Sequence, residues 1–166
     1  GADAVKTQCY EPDTITLNLN KADFIIQEGL WKGRTLYDIY TKAHTPFAWH
    51  RDLYKVAKDI GITIFSSVFD YSSIELLEGL GCPAYKIASM EIVDIPLIQR
   101  AAATKKPIII STGMASNGEV DDAYGATEGT DSAFLHCTSE YPSDASRAGL
   151  IEMLDLRSRL PKEVPV

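Results

Sequence analysis

Pro83-Ala84-Tyr85-Lys86-Ile87-Ala88-Ser89-Met90-Glu91 is a short apolar run that carries a lysine in its middle and ends in a serine and a glutamate. It reads as a buried strand that delivers polar side chains at its C-terminal end, with a helix returning the chain afterwards. In parallel α/β folds ligands bind at that end, where strand termini and helix N-termini converge. A lysine inside such a strand is costly unless an anion or a carboxylate meets it. Lys86 is therefore the first residue to explain.

The same plan recurs on both sides. Upstream, residues 4–8 form a strand that again holds a lysine, Lys6. A long irregular segment follows, with Pro12-Asp13 as a turn signal and residues 14–17 as a short strand. A loop of that length after a strand is usually functional. A short helix is expected over 34–43. Thr45-Pro46 then supplies an N-cap with proline at the first helical position, and Phe47, Leu53, Val56, Ala57 and Ile60 recur at helical spacing until Gly61. Residues 62–67 form the next strand, and Ser72-Ser73-Ile74-Glu75 has the form of a capping box opening a helix that ends near Gly79 or Gly81. The third strand covers 85–89.

Downstream, Asp94 caps a helix reaching Ala103, and 107–111 form the fourth strand. Ser116-Asn117-Gly118-Glu119 is a second capping box, with Gly125 and Gly129 predicting a short helix. Residues 133–137 form the fifth strand, a helix follows over 146–160, and 161–166 read as a loop entering a further strand. Strand ends at Ser67, Ser89, Ser111 and Cys137 recur at a spacing near the ~30 residues per unit of an eight-fold βα barrel. A doubly wound open sheet gives a similar alternation, but no glycine-rich phosphate loop follows any strand here. The predicted fold class is α/β, a (β/α)8 TIM barrel present in part: about five complete βα units and the start of another.

Composition narrows the function. The 166 residues are 45% hydrophobic and 23% charged, as in an ordinary globular domain. No apolar run approaches the ~20 residues of a membrane helix, and no signal-peptide pattern opens the chain, so a cytoplasmic enzyme is expected. The net charge of −7 argues against a nucleic-acid partner, which would need a basic face. An anionic ligand must instead be held by a few local cations. Cys9, Cys82 and Cys137 show neither metal-finger nor redox spacing and read as reduced, small apolar residues.

Lys6 and Lys86 are the candidate cations. Pointing into a barrel, they would converge on a phosphate or carboxylate. Two alternatives remain open on the residues alone: pairing with a buried carboxylate such as Glu91, or a Schiff-base role for one lysine. Ser66, Ser67, Ser89, Ser111 and Thr112 place hydroxyls at successive strand ends, where they can bind phosphate oxygens without adding charge. Glu91 is placed to orient a water or a sugar hydroxyl. His136 reads as a hydrogen-bonded support rather than a metal ligand, and His44 and His50 as surface residues.

Ala4-Val5-Lys6, Tyr85-Lys86-Ile87-Ala88-Ser89, Pro107-Ile108-Ile109-Ile110-Ser111-Thr112-Gly113-Met114-Ala115 and His136-Cys137-Thr138-Ser139-Glu140-Tyr141-Pro142 together resemble the sialic acid synthase family. Pro12-Asp13-Thr14-Ile15-Thr16-Leu17, Ala22-Asp23-Phe24-Ile25-Ile26 and Gly29-Leu30-Trp31 are similar to its pseudaminate-forming branch. The resemblance implies condensation of phosphoenolpyruvate with an amino-sugar aldose, 2,4-diacetamido-2,4,6-trideoxy-altrose in that branch, to give a nine-carbon acid and phosphate. The neuraminate- and legionaminate-forming branches are the nearest alternatives, and an inactive binding or scaffold remnant is a third. Lys6 and Lys86 match the lysines that hold phosphoenolpyruvate, with Ser67 and Ser89 at phosphate-contacting positions. Gln8, Glu91, Ser139 and Tyr141 match positions near the reacting centre and the sugar, with Glu91 and Tyr141 as the catalytic candidates.

The resemblance further implies a divalent metal, manganese or magnesium, whose histidine ligands fall beyond Val166. It also implies a homodimer organised by a C-terminal antifreeze-like domain outside this chain, and a first barrel strand ahead of Gly1. The chain thus reads as an internal piece of the catalytic barrel, expected to be inactive in isolation. Val68 stands where the family has proline after the paired serines.

Overall fold

The computed structural model describes residues 1–139 and 143–166. The chain divides into two compact units, Gly1–Gly81 and Cys82–Val166.

The first unit runs β1 (Ala4–Cys9), α1 (Pro12–Ile15), a 3-10 turn (Ala22–Phe24), α2 (Leu36–Ala43), α3 (Phe47–Ile60), β2 (Thr63–Val68) and α4 (Tyr71–Gly79). β1 and β2 pair in parallel with Lys6 opposite Phe65 and Gln8 opposite Ser67. Because side chains alternate along a strand, Val5 and Ile64 occupy the other face, where they line an apolar groove with Leu53, Val56 and Ile60 of α3. Of the stripe expected on α3, Ala57 is buried, together with His50 and Tyr54, while Leu53, Val56 and Ile60 stay exposed. Its buried stripe is therefore offset from the Leu53, Val56 and Ile60 stripe expected from spacing. His50 is fully buried rather than a surface residue, with Nδ1 3.2 Å from the Pro46 carbonyl and its ring edge-on to Phe47.

No strand forms at 14–17: Thr14 and Ile15 end the helical turn α1, and Thr16 caps it in an extended conformation. Proline at the first helical position fixes φ for a helix start, and the Glu11 carbonyl accepts both the amide and the hydroxyl of Thr14. The irregular segment also contains an unexpected antiparallel pairing, in which the Ile26 amide donates to Arg34 and the Gly33 amide to Ile26. Thr35, rather than Arg34, opens α2 by accepting from the Asp38 amide. α3 starts one residue later than expected, with Pro46 at its N-cap, and ends on Gly61 in the left-handed region (φ 74°).

α4 is capped by Asp70, not by Ser72. Its Oδ1 accepts from the Ser73 amide (2.7 Å), the Ser72 hydroxyl (2.7 Å) and the Ser73 hydroxyl (2.9 Å). Ser73 is buried and its hydroxyl also reaches the Cys9 carbonyl at 2.6 Å, which ties the start of α4 to the end of β1. Burial pushes the Asp70 carboxyl up, but the hydrogen bonds from Ser72 and Ser73 outweigh it and hold its pKa below the usual aspartate value. Asp70→Ala is expected to cost about 1–2 kcal/mol of stability at neutral pH. Since the folded-state pKa is depressed, this contribution is present above the ordinary aspartate pKa and is lost as pH falls through the folded one. The gap between parent and variant in urea melts should narrow as pH is lowered from neutral through and below the ordinary aspartate range; a gap that stays constant would remove the charge argument.

The second unit runs β3 (Tyr85–Ile87), a 3-10 turn (Ser89–Val93), α5 (Ile95–Ala102), β4 (Ile108–Ser111), α6 (Asn117–Ala126), β5 (Ser132–Leu135), a 3-10 turn (Ala145–Arg147) and α7 (Leu150–Arg159). β3, β4 and β5 are parallel neighbours in chain order, with Lys86 opposite Ile109 and Ile109 opposite Ala133. Tyr85, Ile87, Ile98, Ile108, Ile110 and Phe134 are wholly buried between strands and helices. Each such apolar side chain contributes about 1.5–3 kcal/mol over its exposed state.

The helix starts at Asp94 and Ser116 agree with the sequence. Asp94 accepts from the Leu97 amide, and Ser116 and Glu119 complete the reciprocal capping box. α6 extends to Ala126 with Gly125 inside its last turn, longer than the glycines predicted. β3 stops at Ile87 rather than Ser89, because the chain turns at once into the 3-10 segment where the Glu91 amide bonds the Ala88 carbonyl. β5 stops at Leu135, and the expected 146–160 helix begins at Leu150 after Gly149, which takes a left-handed φ of 64°. Residues 161–166 form no strand, yet the Phe134 amide donates to the Pro165 carbonyl at 2.9 Å, and Arg157 holds the Val164 and Pro161 carbonyls.

Candidate active site

In the first unit Lys6, Gln8, Phe65 and Ser67 share one face of the β1–β2 pair. Ser67 is buried while Lys6 and Gln8 are exposed. Lys6 is exposed, yet the protein around its ammonium excludes part of the water. Burial therefore draws its pKa below the usual lysine value. Ser66 does not belong to this face. Its hydroxyl accepts from Thr7 (3.0 Å) and donates to the Ser67 carbonyl (3.1 Å), so it braces the strands.

In the second unit Lys86 extends from the face of β3 opposite to Tyr85 and Ile87, with Nζ 3.5 Å from the Ile87 carbonyl. Glu91, on the following 3-10 turn, lies within its electrostatic reach. Burial raises the Glu91 pKa, the Lys86 charge works against that rise, and Asp94 reinforces it. One carboxylate oxygen, Oε2, is buried with no hydrogen-bond donor among the described residues. A carboxyl whose pKa is raised by burial is better suited to holding and returning a proton than an ordinary glutamate. The Lys86 charge is thus felt by Glu91, the carboxylate that the alternative reading of the sequence named.

Ser89 lies at the start of the same turn, where its Oγ accepts from the Gly113 amide at 3.2 Å. Ser139, exposed beyond β5, is close by: a Cβ placed on Gly113 would stand 2.7 Å from Ser139 Oγ and 2.9 Å from Ser89 Oγ. Ser111 is buried, and the Thr112 hydroxyl is turned to the Leu135 carbonyl (3.0 Å), which takes it out of the hydroxyl set. His136 Nε2 lies 3.0 Å from the Ala148 carbonyl, the supporting contact expected of it. Tyr141 lies outside the described residues. Gly113 is the site residue that sequence reasoning passed over; its signal was a glycine directly after a strand end in Ser-Thr-Gly-Met.

The described residues contain no group of three or more His, Cys, Asp or Glu side chains that could hold a metal ion. Cys9, Cys82 and Cys137 are in no disulfide among the described residues. The divalent metal implied by the resemblance therefore finds no ligand set among the described residues.

The NeuB family model matches residues 1–166, the whole chain. The chain belongs to the NeuB family. Among NeuB-type relatives it is 47% identical over 159 residues to the pseudaminic acid synthase of Helicobacter pylori, covering 94% of this chain and 47% of that protein. It is 41% identical over 167 residues to the pseudaminic acid synthase of Campylobacter jejuni, with 99% and 49% covered. The N,N'-diacetyllegionaminic acid synthase of Legionella pneumophila is 35% identical over 164 residues, with 94% and 46% covered. Among solved structures, the N-acetylneuraminic acid synthetase of Leptospira borgpetersenii superposes with a TM-score of 0.81 at 25% identity, over 99% of this chain and 53% of that one. The chain thus spans about half the length of its curated NeuB relatives. No helix among its described residues is long and apolar enough to cross a membrane.

Proposed function

We propose that this chain is part of a pseudaminic acid synthase. The protein containing it condenses phosphoenolpyruvate with 2,4-diacetamido-2,4,6-trideoxy-altrose and water, releasing pseudaminate and phosphate. The observation that carries this reading is the gradient of identity, 47% to a pseudaminic acid synthase against 35% to a legionaminic acid synthase over the same share of the chain. Phosphoenolpyruvate C3 attacks the open-chain sugar aldehyde, forming the carbon–carbon bond while the aldehyde oxygen takes up a proton. Water then adds at C2, and phosphate leaves with its bridging oxygen.

In this reading Lys6 and Lys86 anchor the phosphate and carboxylate of phosphoenolpyruvate by charge-assisted hydrogen bonds. Ser67 and Ser89 complete the phosphate contacts. Glu91, with its raised pKa, holds and returns the proton, and Gln8, Ser139 and Tyr141 contact the sugar and the reacting centre. Hydroxyls and amides fixed before the substrate arrives stabilise the developing charge without reorganisation. Parallel strands that neighbour one another in chain order, with no reversal inside either unit, support the barrel over a doubly wound sheet. The barrel also supports the strand-end location of the site. A cytoplasmic homodimer remains the proposed form of the whole protein.

The test is to assay the full-length protein with phosphoenolpyruvate, manganese or magnesium, and each candidate sugar, following phosphate release. Release with the altrose derivative alone is expected. Release with N-acetylmannosamine or the legionaminate precursor would move the chain to that branch, and silence with all three would overturn the synthase reading.

A further inference from the structure

We infer that Gly113 is a positioning residue for anion binding: its amide fixes Ser89 as a hydrogen-bond donor, and its missing Cβ lets Ser89 and Ser139 share one small space. The inference rests on the phosphoenolpyruvate reading above. A hydroxyl that accepts at its oxygen from the Gly113 amide (3.2 Å) keeps its own hydrogen for another partner. That hydrogen is what a phosphate or carboxylate oxygen needs, and a donor fixed in advance loses no orientation when the anion binds.

The second observation is steric. Both serine oxygens lie within 3 Å of the point where a Cβ on Gly113 would stand, and the Cys137 Cβ is 3.3 Å from it. Real Cβ atoms essentially never approach polar atoms so closely, so any side chain at 113 must move one serine or both. The third is the backbone. Residues 112–115 close a turn through the Ala115 amide and the Thr112 carbonyl (3.1 Å), and Met114 within it takes a left-handed φ of 67°. A non-glycine residue held there is strained by roughly 1–3 kcal/mol and persists only where its surroundings fix the turn. The exposed Met114 side chain makes no apolar packing gain that would account for it, whereas the turn delivers the Gly113 amide to Ser89.

Binding of phosphoenolpyruvate to the full-length protein, read by calorimetry, tests this. Gly113→Ala is expected to weaken binding at least about tenfold, the low end for a hydrogen bond to a charged group, with its melting temperature little changed. Added to Ser89→Ala, it should cost less than about twofold more, because the partner it acts through is gone. A merely structural glycine would instead give effects that multiply. Gly113→Ala in a Ser139→Gly background removes the nearest collision and guards against misfolding; the tenfold loss relative to Ser139→Gly alone should remain. Parent-like binding by Gly113→Ala, multiplicative effects with Ser89→Ala, or misfolding that persists in the Ser139→Gly background would each overturn the inference while leaving the synthase reading intact. Absence of phosphoenolpyruvate binding by the parent protein would overturn both.

Discussion

Lys86→Met in the full-length protein is expected to lower phosphate release from phosphoenolpyruvate by about a hundredfold to a thousandfold in kcat/KM. The substitution keeps the length and most of the volume of the side chain, so it removes charge and hydrogen bonds rather than packing. Removing a charged partner from a desolvated ion contact costs roughly 2–5 kcal/mol, and each 1.4 kcal/mol is a factor of ten. The loss should fall mainly on the affinity for phosphoenolpyruvate, since an anchoring cation acts before and during bond formation.

The same change has a second effect that can be separated from the first. Lys86 offsets the rise that burial imposes on Glu91, so its loss should push that carboxyl further up and lower the stability of the second unit at neutral pH. A raised carboxyl pKa favours the fold below the ordinary glutamate range and loses that advantage as pH rises through the folded-state value. Adding Glu91→Gln removes the titrating group and should recover stability without recovering turnover. Turnover by Lys86→Met near the parent level would end the anchoring role of this lysine. Recovery of turnover by the double variant would reduce Lys86 to a structural partner of Glu91.

Phe134→Ala is expected to cost about 3–5 kcal/mol of stability, the range for a fully buried aromatic cut to a methyl group. Phe134 is 0% exposed, sits in the middle of β5, and packs edge-on against Tyr124 with ring centroids 6.2 Å apart. The cavity would open between β5 and α6, where the polypeptide has no second large side chain on the strand to fill it: the neighbouring strand residues are Ser132, Ala133 and Leu135, and Leu135 is exposed. Against a total stability of roughly 5–15 kcal/mol for a domain, such a loss is large. Phe134→Leu retains most of the volume and should cost under about 2 kcal/mol. Guanidinium melts of the two variants would decide it; equal midpoints would mean that the site collapses around either side chain and that the packing account is wrong.

Much of the fold is legible because the signals are short and local. Asp94 and Ser116 cap their helices as read, since a side-chain oxygen three residues ahead of an amide needs no tertiary information. The strands are legible as apolar runs, and Lys6 and Lys86 stand out because lysine is the wrong residue for such a run. The misses are places where distant contacts choose between equal local options. Both Asp70 and Ser72 are good caps, and the Ser73 hydroxyl on the Cys9 carbonyl, 64 positions away, fixes the helix start on Asp70. Residues 14–17 have strand-forming threonine and isoleucine, but Pro12 and the Glu11 carbonyl draw Thr14 and Ile15 into a helical turn. His50 is polar enough for a surface position, but α3 packs on its 50, 54 and 57 side.

The site was half legible for the same reason. Residue types that carry charge announce themselves, whereas Gly113 contributes an amide and an absence. Neither has a sequence signal beyond the letter itself, and the close approach of Ser89 and Ser139 exists only once β3, β4 and β5 are side by side.

The pairing of strands also orders the chain in time. In the second unit Lys86 meets Ile109 and Ile109 meets Ala133, each closing a loop of about two dozen residues, while in the first Lys6 must find Phe65 across nearly sixty. Loop-closure entropy grows only logarithmically, by about 0.6 kcal/mol for each doubling, so the longer search carries a handicap of less than about 1 kcal/mol. During synthesis β1 is made well before β2, with three helices in between. The edge of β1 that β2 will cover stays open for that interval, and Lys6, set among Ala4, Val5 and Thr7, is a charge that disfavours edge-to-edge association there while the strand waits.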